Sequence, residues 1–205
     1  MRNNYFMKEE MQMYARHPVG VAECLKSATV GIAGLGGLGS AVATALARSG
    51  VGRLVLADFD VVEASNLNRQ HYFYDQIGQP KAEALVENLR RINPFLEYEV
   101  HSCRITPENA MALFGEVDVL VEALDQAEQK AMLLNACRDI PIVAASGLAG
   151  LDDCTSIRVR KMGEKLFVVG DFKNGMEQGI LAPRIGVVAH MQAHLVVRIL
   201  MGLES

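Results

Sequence analysis

The chain has 205 residues, 50% of them hydrophobic, so it can bury a full core as one domain with a small appendage. Lysine and arginine number 20 against 24 acidic residues, a formal net charge of −4, and no basic run stands out, so we expect no nucleic acid as a partner. No charge-free apolar stretch reaches about 18 residues and residues 1–10 lack a signal-peptide core, so we expect a cytoplasmic protein with no membrane partner.

Residues 1–27 are polar and rich in methionine, with helical spacing that Pro18 interrupts. This pattern predicts two short helices that form an N-terminal segment ahead of the main domain. No internal repeat or low-complexity tract follows, so we expect residues 28–205 to form one domain.

A glycine-rich turn opens this domain. The apolar run Thr29–Ala33 predicts a buried strand and residues 38–47 predict a helix, so the glycines between them occupy a strand-to-helix turn. Without Cβ atoms at Gly36 and Gly37, the main chain can approach a phosphate closely, and the positive end of the helix dipole favours an anion there. The turn therefore predicts a nucleotide site.

The rest of the chain alternates between strands and helices. Strands are predicted at 53–57, 96–103, 117–121 and 141–145, helices at 80–92, 106–115, 125–138 and 185–201, and an antiparallel hairpin at 155–160 and 165–169. Strands that are apolar throughout are typical of a parallel sheet covered on both faces. We therefore predict a Rossmann-like, doubly wound α/β fold with a mostly parallel sheet and an appended antiparallel hairpin.

Polar residues gather after the second strand, in a connection at 59–78 that is long for an α/β protein. Asp58 ends that strand and is placed to accept hydrogen bonds from ribose hydroxyls. Donors and cations follow close to the glycine turn: Asp60, Asn66, Asn68, Arg69, Gln70 and Lys81. This concentration favours a triphosphate over NAD, because cations stabilise the charge that shifts to pyrophosphate when an α-phosphate is attacked.

Asp125 follows the fourth parallel strand and reaches the same edge of the sheet, where its carboxylate suits Mg²⁺. Each of these charged residues also has an ordinary interpretation. Arg69 and Lys81 can be solvated surface charges, and Asp125 can cap a helix. Their shared position at one sheet edge favours a common site.

Several segments carry a family resemblance. They are GLGGLG at 34–39, DFDVVEASNLNRQ at 58–70, GQPK at 78–81, RINP at 91–94 and GILAPRIG at 179–186. In this order they resemble the ThiF/MoeB family of carrier-protein adenylyltransferases, which are bacterial relatives of ubiquitin-activating enzymes. Within that family the chain looks most like the short ThiF-like proteins of thiamine biosynthesis.

The resemblance implies an enzyme that uses ATP and Mg²⁺. Its partner is a small ubiquitin-like sulfur carrier, whose C-terminal Gly-Gly carboxylate attacks the α-phosphate to give an acyl-adenylate and pyrophosphate. By matched position, ATP is bound by Gly36, Gly37, Asp58, Asn66, Arg69, Gln70 and Lys81. Asp125 holds the magnesium, and Arg69, Lys81 and Asp125 are catalytic through alignment and charge neutralisation.

The chain also departs from the family pattern. It lacks the two CxxC pairs of longer members, so no structural zinc is expected, and the loop at 170–183 has no cysteine for a covalent step. The usual Cys-Thr-Asp-Asn stands here as Ala-Leu-Asp-Gln at 123–126. Family members are dimers in which an N-terminal arginine enters the partner's ATP site; Arg16 or Arg2 are the candidates here.

Other functions remain open at this point. The same chemistry can serve a carrier of molybdopterin, cysteine or tRNA-modification pathways, or a free small carboxylate. A non-catalytic ATP-binding scaffold is a further alternative, and a Rossmann dehydrogenase is the last.

Overall fold

In the computed structural model, which describes residues 9–204, the seven strands assigned in that range form one sheet. They are β1 (Thr29–Ala33), β2 (Arg53–Ala57), β3 (Glu97–His101), β4 (Val119–Glu122), β5 (Ile142–Ala145), β6 (Arg158–Lys161) and β7 (Leu166–Gly170). The order is β3-β2-β1-β4-β5-β7-β6, and each neighbouring pair is parallel except β6 with β7. The doubly wound, mostly parallel sheet with an antiparallel hairpin is confirmed.

Helices cover both faces of this sheet. They are α1 (Val21–Ser27), α2 (Gly37–Ser49), α3 (Lys81–Ile92), α4 (Ala110–Phe114), α5 (Ala127–Ala136) and α6 (Ala182–Leu200). Short 3₁₀ turns lie at Ala64–Asn66, Tyr74–Gln76, Cys154–Ser156 and Met176–Gln178. The last helix begins at Ala182 rather than at 185, because proline with its fixed φ suits the first turn of a helix.

Two hydrophobic clusters flank the sheet. On one face α2, α3 and α6 pack on the strands, and fully buried leucines such as Leu46 and Leu85 belong to this cluster. On the other face α4 and α5 supply Phe114 and Leu133. The central strands are buried on both sides, which explains why their sequences are apolar throughout rather than alternating.

The chain leaves adjacent strands in opposite directions. After β1 it forms α2 on one face, and after β4 it forms α5 on the other face. The carboxyl ends of these neighbouring strands therefore diverge and open a crevice, the usual ligand position in doubly wound sheets.

The predicted N-terminal segment is described from residue 9 onward; residues 1–8 lie outside the described range. Residues 9–13 and α1 are helical. Leu25 of α1 is fully buried in the first cluster, and the ring of Tyr14 lies over Gly50 at the end of α2. Residues 9–27 thus pack on the sheet domain. None of the helices in the described range has the length and apolar character needed to span a bilayer.

Candidate active site

A pocket of about 340 Å³ lies in the crevice at the carboxyl ends of the central strands. The residues that the sequence predicts for the site all line it: Gly36, Gly37, Asp58, Asn66, Arg69, Gln70, Lys81 and Asp125. Folding therefore brings together side chains from the glycine turn, the end of β2, the long 59–78 connection, α3 and the loop after β4. A pocket with a few convergent polar groups is typical of a small-molecule site.

The glycines of the turn have two different tasks. A Cβ at Gly34, where φ is +87°, would lie 2.7 Å from the Ala123 carbonyl oxygen, and a Cβ at Gly39 would overlap the carbonyl of Gly34. These two glycines let β1, α2 and the loop after β4 pack closely. At Gly36 a Cβ would have one neighbour within 4 Å among the described residues, the Gln70 amide nitrogen at 3.7 Å, so this part of the turn opens on the pocket.

The first turn of α2 lines this open part of the pocket with Gly37 and Leu38. Gly36 is the N-cap and supplies no side-chain cap, and no acidic residue lies in the first turn of the helix. The N–H groups and the positive end of the helix dipole therefore favour a bound anion.

Asp58 is a fixed acceptor at the end of β2. Its two carboxylate oxygens accept hydrogen bonds from the backbone N–H groups of Leu35, at 2.6 Å, and Asp60, at 2.8 Å. Burial raises the pKa of Asp58, and these two backbone bonds and the charge of Lys81 oppose that rise without cancelling it. The carboxylate is held in one orientation, with lone pairs left to accept ribose hydroxyls.

Lys81 is a buried cation at the start of α3. Only 6% of the residue is exposed, and its Nζ donates to Asp60 Oδ2 at 2.9 Å. An ammonium group has three N–H donors, and Asp60 is its one acceptor among the described residues. The interpretation of Lys81 as a solvated surface charge is therefore wrong, and donors remain for a ligand in the pocket.

Arg69 is placed differently from Lys81. It is half-buried, and its Nη1 donates to the Ser65 carbonyl oxygen at 2.9 Å and to Asn68 Oδ1 at 2.8 Å. Both of its side-chain hydrogen bonds within the described range use Nη1, so Nε and Nη2 are available to a ligand. The guanidinium group is anchored to its own loop at the wall of the pocket.

Asn66 and Gln70 are both buried amides in the 59–78 connection. Asn66 Oδ1 accepts from the Glu63 backbone N–H at 3.1 Å and so caps the 3₁₀ turn that carries it. Gln70 lies over the glycine turn, and its Oε1 is buried without a hydrogen-bond partner among the described residues. Because a buried orphan polar atom is costly, Gln70 is a natural contact for a polar ligand.

Asp125 is exposed in the loop between β4 and α5 and lines the pocket. The N-cap of α5 is Gln126, so Asp125 does not serve as that cap. Among the described residues no group of three or more histidine, cysteine or acidic side chains could hold a metal ion. The single carboxylate of Asp125 fits Mg²⁺, because this ion binds through one or two carboxylates together with substrate phosphates and waters rather than in a protein cage.

Sequence reasoning missed a buried ion pair directly behind this loop. Glu122 is 1% exposed at the end of β4, and both of its carboxylate oxygens accept hydrogen bonds at 2.9 Å from Lys130 Nζ on α5. Nearby, the fully buried Gln192 of α6 donates to the carbonyl oxygens of Glu122 and Val143. An acidic residue at the end of an otherwise apolar strand was the signal for this pair.

The second half of the chain closes the pocket. Leu148 and Ile180 line it from loops beyond β5, and Ile185 lines it from the first turn of α6. The loop that carries Ile180 is held by a buried pair, in which Arg184 donates to the Asp171 carboxylate. These apolar side chains suit the sugar or base of a nucleotide and exclude water from the polar end.

Arg16 and Arg2 are the two candidates for the arginine predicted to enter the ATP site of a partner subunit. Arg16 is exposed in the segment ahead of α1, and Arg2 lies outside the described range. The role of either arginine in a partner subunit therefore stays a prediction.

Comparison with known proteins finds relatives over most of this chain. The model of the ThiF family matches residues 10–205. The tRNA threonylcarbamoyladenosine dehydratase of Bacillus subtilis strain 168 is 38% identical over 141 residues, 67% of this chain and 56% of that protein. The molybdopterin-synthase adenylyltransferase of Escherichia coli strain K12 is 35% identical over 201 residues, 88% of this chain and 76% of that protein. The chain thus spans about half to three quarters of the length of these relatives.

Solved structures show the same fold. A crystal structure of the tRNA N6-threonylcarbamoyladenosine dehydratase of E. coli superimposes with a TM-score of 0.87 at 23% identity, over 97% of this chain and 96% of that chain. A structure of that enzyme in complex with ATP gives a TM-score of 0.85 at 24% identity, over 93% of each chain. Because the family model matches nearly the whole sequence and a curated relative shares 35% of its residues, the chain belongs to the ThiF family.

Proposed function

We propose that the protein is an adenylyltransferase that uses MgATP to activate the C-terminal carboxylate of a small ubiquitin-like sulfur carrier ending in Gly-Gly. The observation that supports this proposal best is the pocket at the sheet crevice. A helix N-terminus without a side-chain cap, the fixed Asp58 carboxylate and the buried ammonium of Lys81 share it. The family relationship and the ATP complex of a protein with the same fold support the same nucleotide.

The proposed reaction needs little from the protein beyond alignment and charge. A carboxylate is ionised at neutral pH, so no general base is required to prepare the nucleophile. A carboxylate oxygen of the carrier forms a bond to the α-phosphorus, the bond from that phosphorus to the bridging oxygen of pyrophosphate breaks, and pyrophosphate leaves. Lys81, Arg69 and the N–H groups at Gly36 and Gly37 stabilise the negative charge that moves onto the leaving group.

Asp58 and Gln70 are proposed to orient the nucleotide during this step. Asp58 accepts the ribose hydroxyls, and Gln70 offers its amide above the glycine turn. Asp125 is the proposed ligand of Mg²⁺, which would supply positive charge against the phosphates when bound. In-line placement of the carrier tail is the main source of rate in such a site.

We further propose that the carrier belongs to thiamine thiazole synthesis. The resemblance of the sequence to short ThiF-like proteins supports that pathway. Sulfur would displace AMP from the acyl-adenylate without a covalent step on the 170–183 loop, which has no cysteine. A homodimer, which the family resemblance implies, and a cytoplasmic location stay predictions.

The same chemistry on a modified tRNA is a second candidate. Similarity to the dehydratase of B. subtilis, at 38% identity, favours it. In that case the carboxylate that is adenylated would sit on a tRNA base instead of a carrier tail. The net charge of −4 and the lack of a basic run give no separate support for a tRNA partner.

Pyrophosphate exchange distinguishes these candidates. We expect labelled pyrophosphate to enter ATP when a ThiS-like carrier is added, and the exchange to be lost when the carrier's terminal glycine is removed. Molybdopterin-type carriers and threonylcarbamoyl-modified tRNA form the parallel arms. If exchange occurs only with another acceptor, the assignment to thiamine synthesis is wrong. If the protein binds ATP but shows no exchange with any acceptor, it is not an adenylyltransferase, and the non-catalytic ATP-binding scaffold is the better assignment.

A further inference from the structure

The ion pair of Glu122 and Lys130 lies directly behind the loop that carries Asp125. Glu122 is 1% exposed and the Lys130 side chain is 25% exposed, so the pair is largely screened from water. Lys130 Nζ is 2.9 Å from both carboxylate oxygens, a symmetrical arrangement that leaves the carboxylate little rotational freedom. A charge in such a position needs a partner, because an unpaired buried carboxylate is costly.

The pair also connects the two ends of the loop, because Glu122 ends β4 and Lys130 lies on α5. Glu122 Oε1 accepts a hydrogen bond from the backbone N–H of Leu124 at 2.8 Å, which fixes the start of the loop. The backbone N–H of Lys130 donates to the Gln126 carbonyl oxygen at 3.0 Å, which fixes its end at the first turn of α5. Asp125 lies between these two anchors.

The glycine turn borders the loop on the other side. A Cβ at Gly34 would lie 2.7 Å from the carbonyl oxygen of Ala123 and 3.2 Å from the backbone nitrogen of Leu124. The backbone ahead of Asp125 is therefore confined between the glycine turn and the ion pair.

We infer that Glu122 and Lys130 are positioning residues that hold Asp125 at the pocket, where its carboxylate can meet a divalent cation carried by ATP. This inference rests on the proposed function, since it assumes that MgATP binds there. The pair itself touches neither nucleotide nor metal in this assignment. Its effect passes through the backbone of residues 123–126.

The inference differs from a role in stability alone. If the pair only stabilises the fold, its removal changes the melting temperature and affects the binding of ATP with and without magnesium equally. If it positions Asp125, its removal reduces the magnesium benefit, which is the factor by which magnesium tightens ATP binding. The ratio of the dissociation constants of ATP in EDTA and in saturating magnesium measures that benefit and needs no turnover.

The test compares this ratio in the native protein, Lys130→Met, Lys130→Arg and Asp125→Asn by calorimetric titration with ATP. We expect Lys130→Met to lose at least about fivefold of the magnesium benefit, in the range typical of coupled sites, while its metal-free affinity stays within about twofold. Lys130→Arg keeps the charge and should restore the benefit. Asp125→Asn shows how much benefit the carboxylate provides, and Lys26→Met, at the exposed pair with Glu10, is the matched lysine control.

Circular dichroism first establishes which variants are folded. Should Lys130→Met fail to fold, the double variant Glu122→Gln with Lys130→Gln, which removes both charges and keeps hydrogen-bonding side chains, takes its place. An unchanged magnesium ratio in the folded variant, or an equal loss with and without magnesium, would overturn the positioning role. A native protein that binds no ATP would instead refute the proposed function on which the role rests.

Discussion

Lys81 and Arg69 carry the same charge in the sequence but not the same environment in the protein. The Lys81 ammonium is buried beside Asp60, which is itself half-exposed, whereas Arg69 bonds to its own loop through Nη1. A cation in a site screened from water acts on phosphate charge more strongly than one at the surface. Lys81 is therefore the residue on which the chemistry should depend most.

Replacing Lys81 tests this ranking. We expect Lys81→Met to lower the rate constant of pyrophosphate exchange by about 10²–10³-fold, the usual cost of removing one group that stabilises transition-state charge. Arg69→Met should lower it less, because that side chain is only half-buried and water weakens its interaction with phosphate charge. Steady-state exchange at saturating ATP is the measurement.

The control for this prediction is Lys26→Met, since Lys26 pairs with Glu10 at the surface with 65% of its side chain exposed. Its exchange rate should equal that of the native protein. A Lys81→Met protein that is folded and as active as the native one would remove Lys81 from the proposed machinery.

At the scale of elements, the close contact between β1, α2 and the β4–α5 loop depends on glycine. A Cβ at Gly39 would overlap the carbonyl oxygen of Gly34, which is backbone and cannot move without shifting the strand end. The shape of the glycine turn and the packing of α2 therefore depend on the same close contact.

We therefore expect Gly39→Ala to destabilise the protein by about 1–3 kcal/mol, the typical cost of overpacking a close contact. Gly186→Ala is the matched control, because Gly186 lies in α6 with nothing within 4 Å of its added Cβ. That substitution should stabilise the protein by about 0.5–1 kcal/mol through helix propensity. Urea unfolding measures both, and an equal effect of the two substitutions would contradict the contact argument.

At the scale of the whole molecule, the pocket joins the two halves of the sheet. Asp58 and Lys81 come from the side of β2 and α3, whereas Asp125 and Ile185 come from the side of β4 and α6. A nucleotide that touches both sides adds contacts that link the two sides. Binding should therefore stabilise the entire fold.

This stabilisation has an expected size. ATP at about 100 times its dissociation constant contributes about 2.7 kcal/mol, and a protein of this length gains about 2–4 °C in Tm per kcal/mol, so we expect a rise of about 5–11 °C. Differential scanning fluorimetry with ATP measures it, and nicotinamide mononucleotide is the negative control. A larger rise in Tm with NAD than with ATP would favour a dehydrogenase over an adenylyltransferase.

The sequence by itself determined the fold class and the location of the site. Runs of apolar residues such as Arg53–Ala57 can be buried on both faces only in a parallel sheet, and polar residues that follow such strands meet at one edge. The positions of the glycine turn and of Asp58 at the end of β2 were predictable for the same reason, because both follow from the local sequence.

Only the tertiary structure decided which charges are buried and paired. The sequence does not distinguish the environments of Lys81 and Arg69; Lys81 is buried because α3 packs on the sheet. Glu122 pairs with Lys130 because β4 and α5 are in contact. Closure of the pocket by Ile185 brings in a helix from the far end of the chain. Burial and pairing depend on contacts between residues distant in sequence, so local patterns carry little information about them.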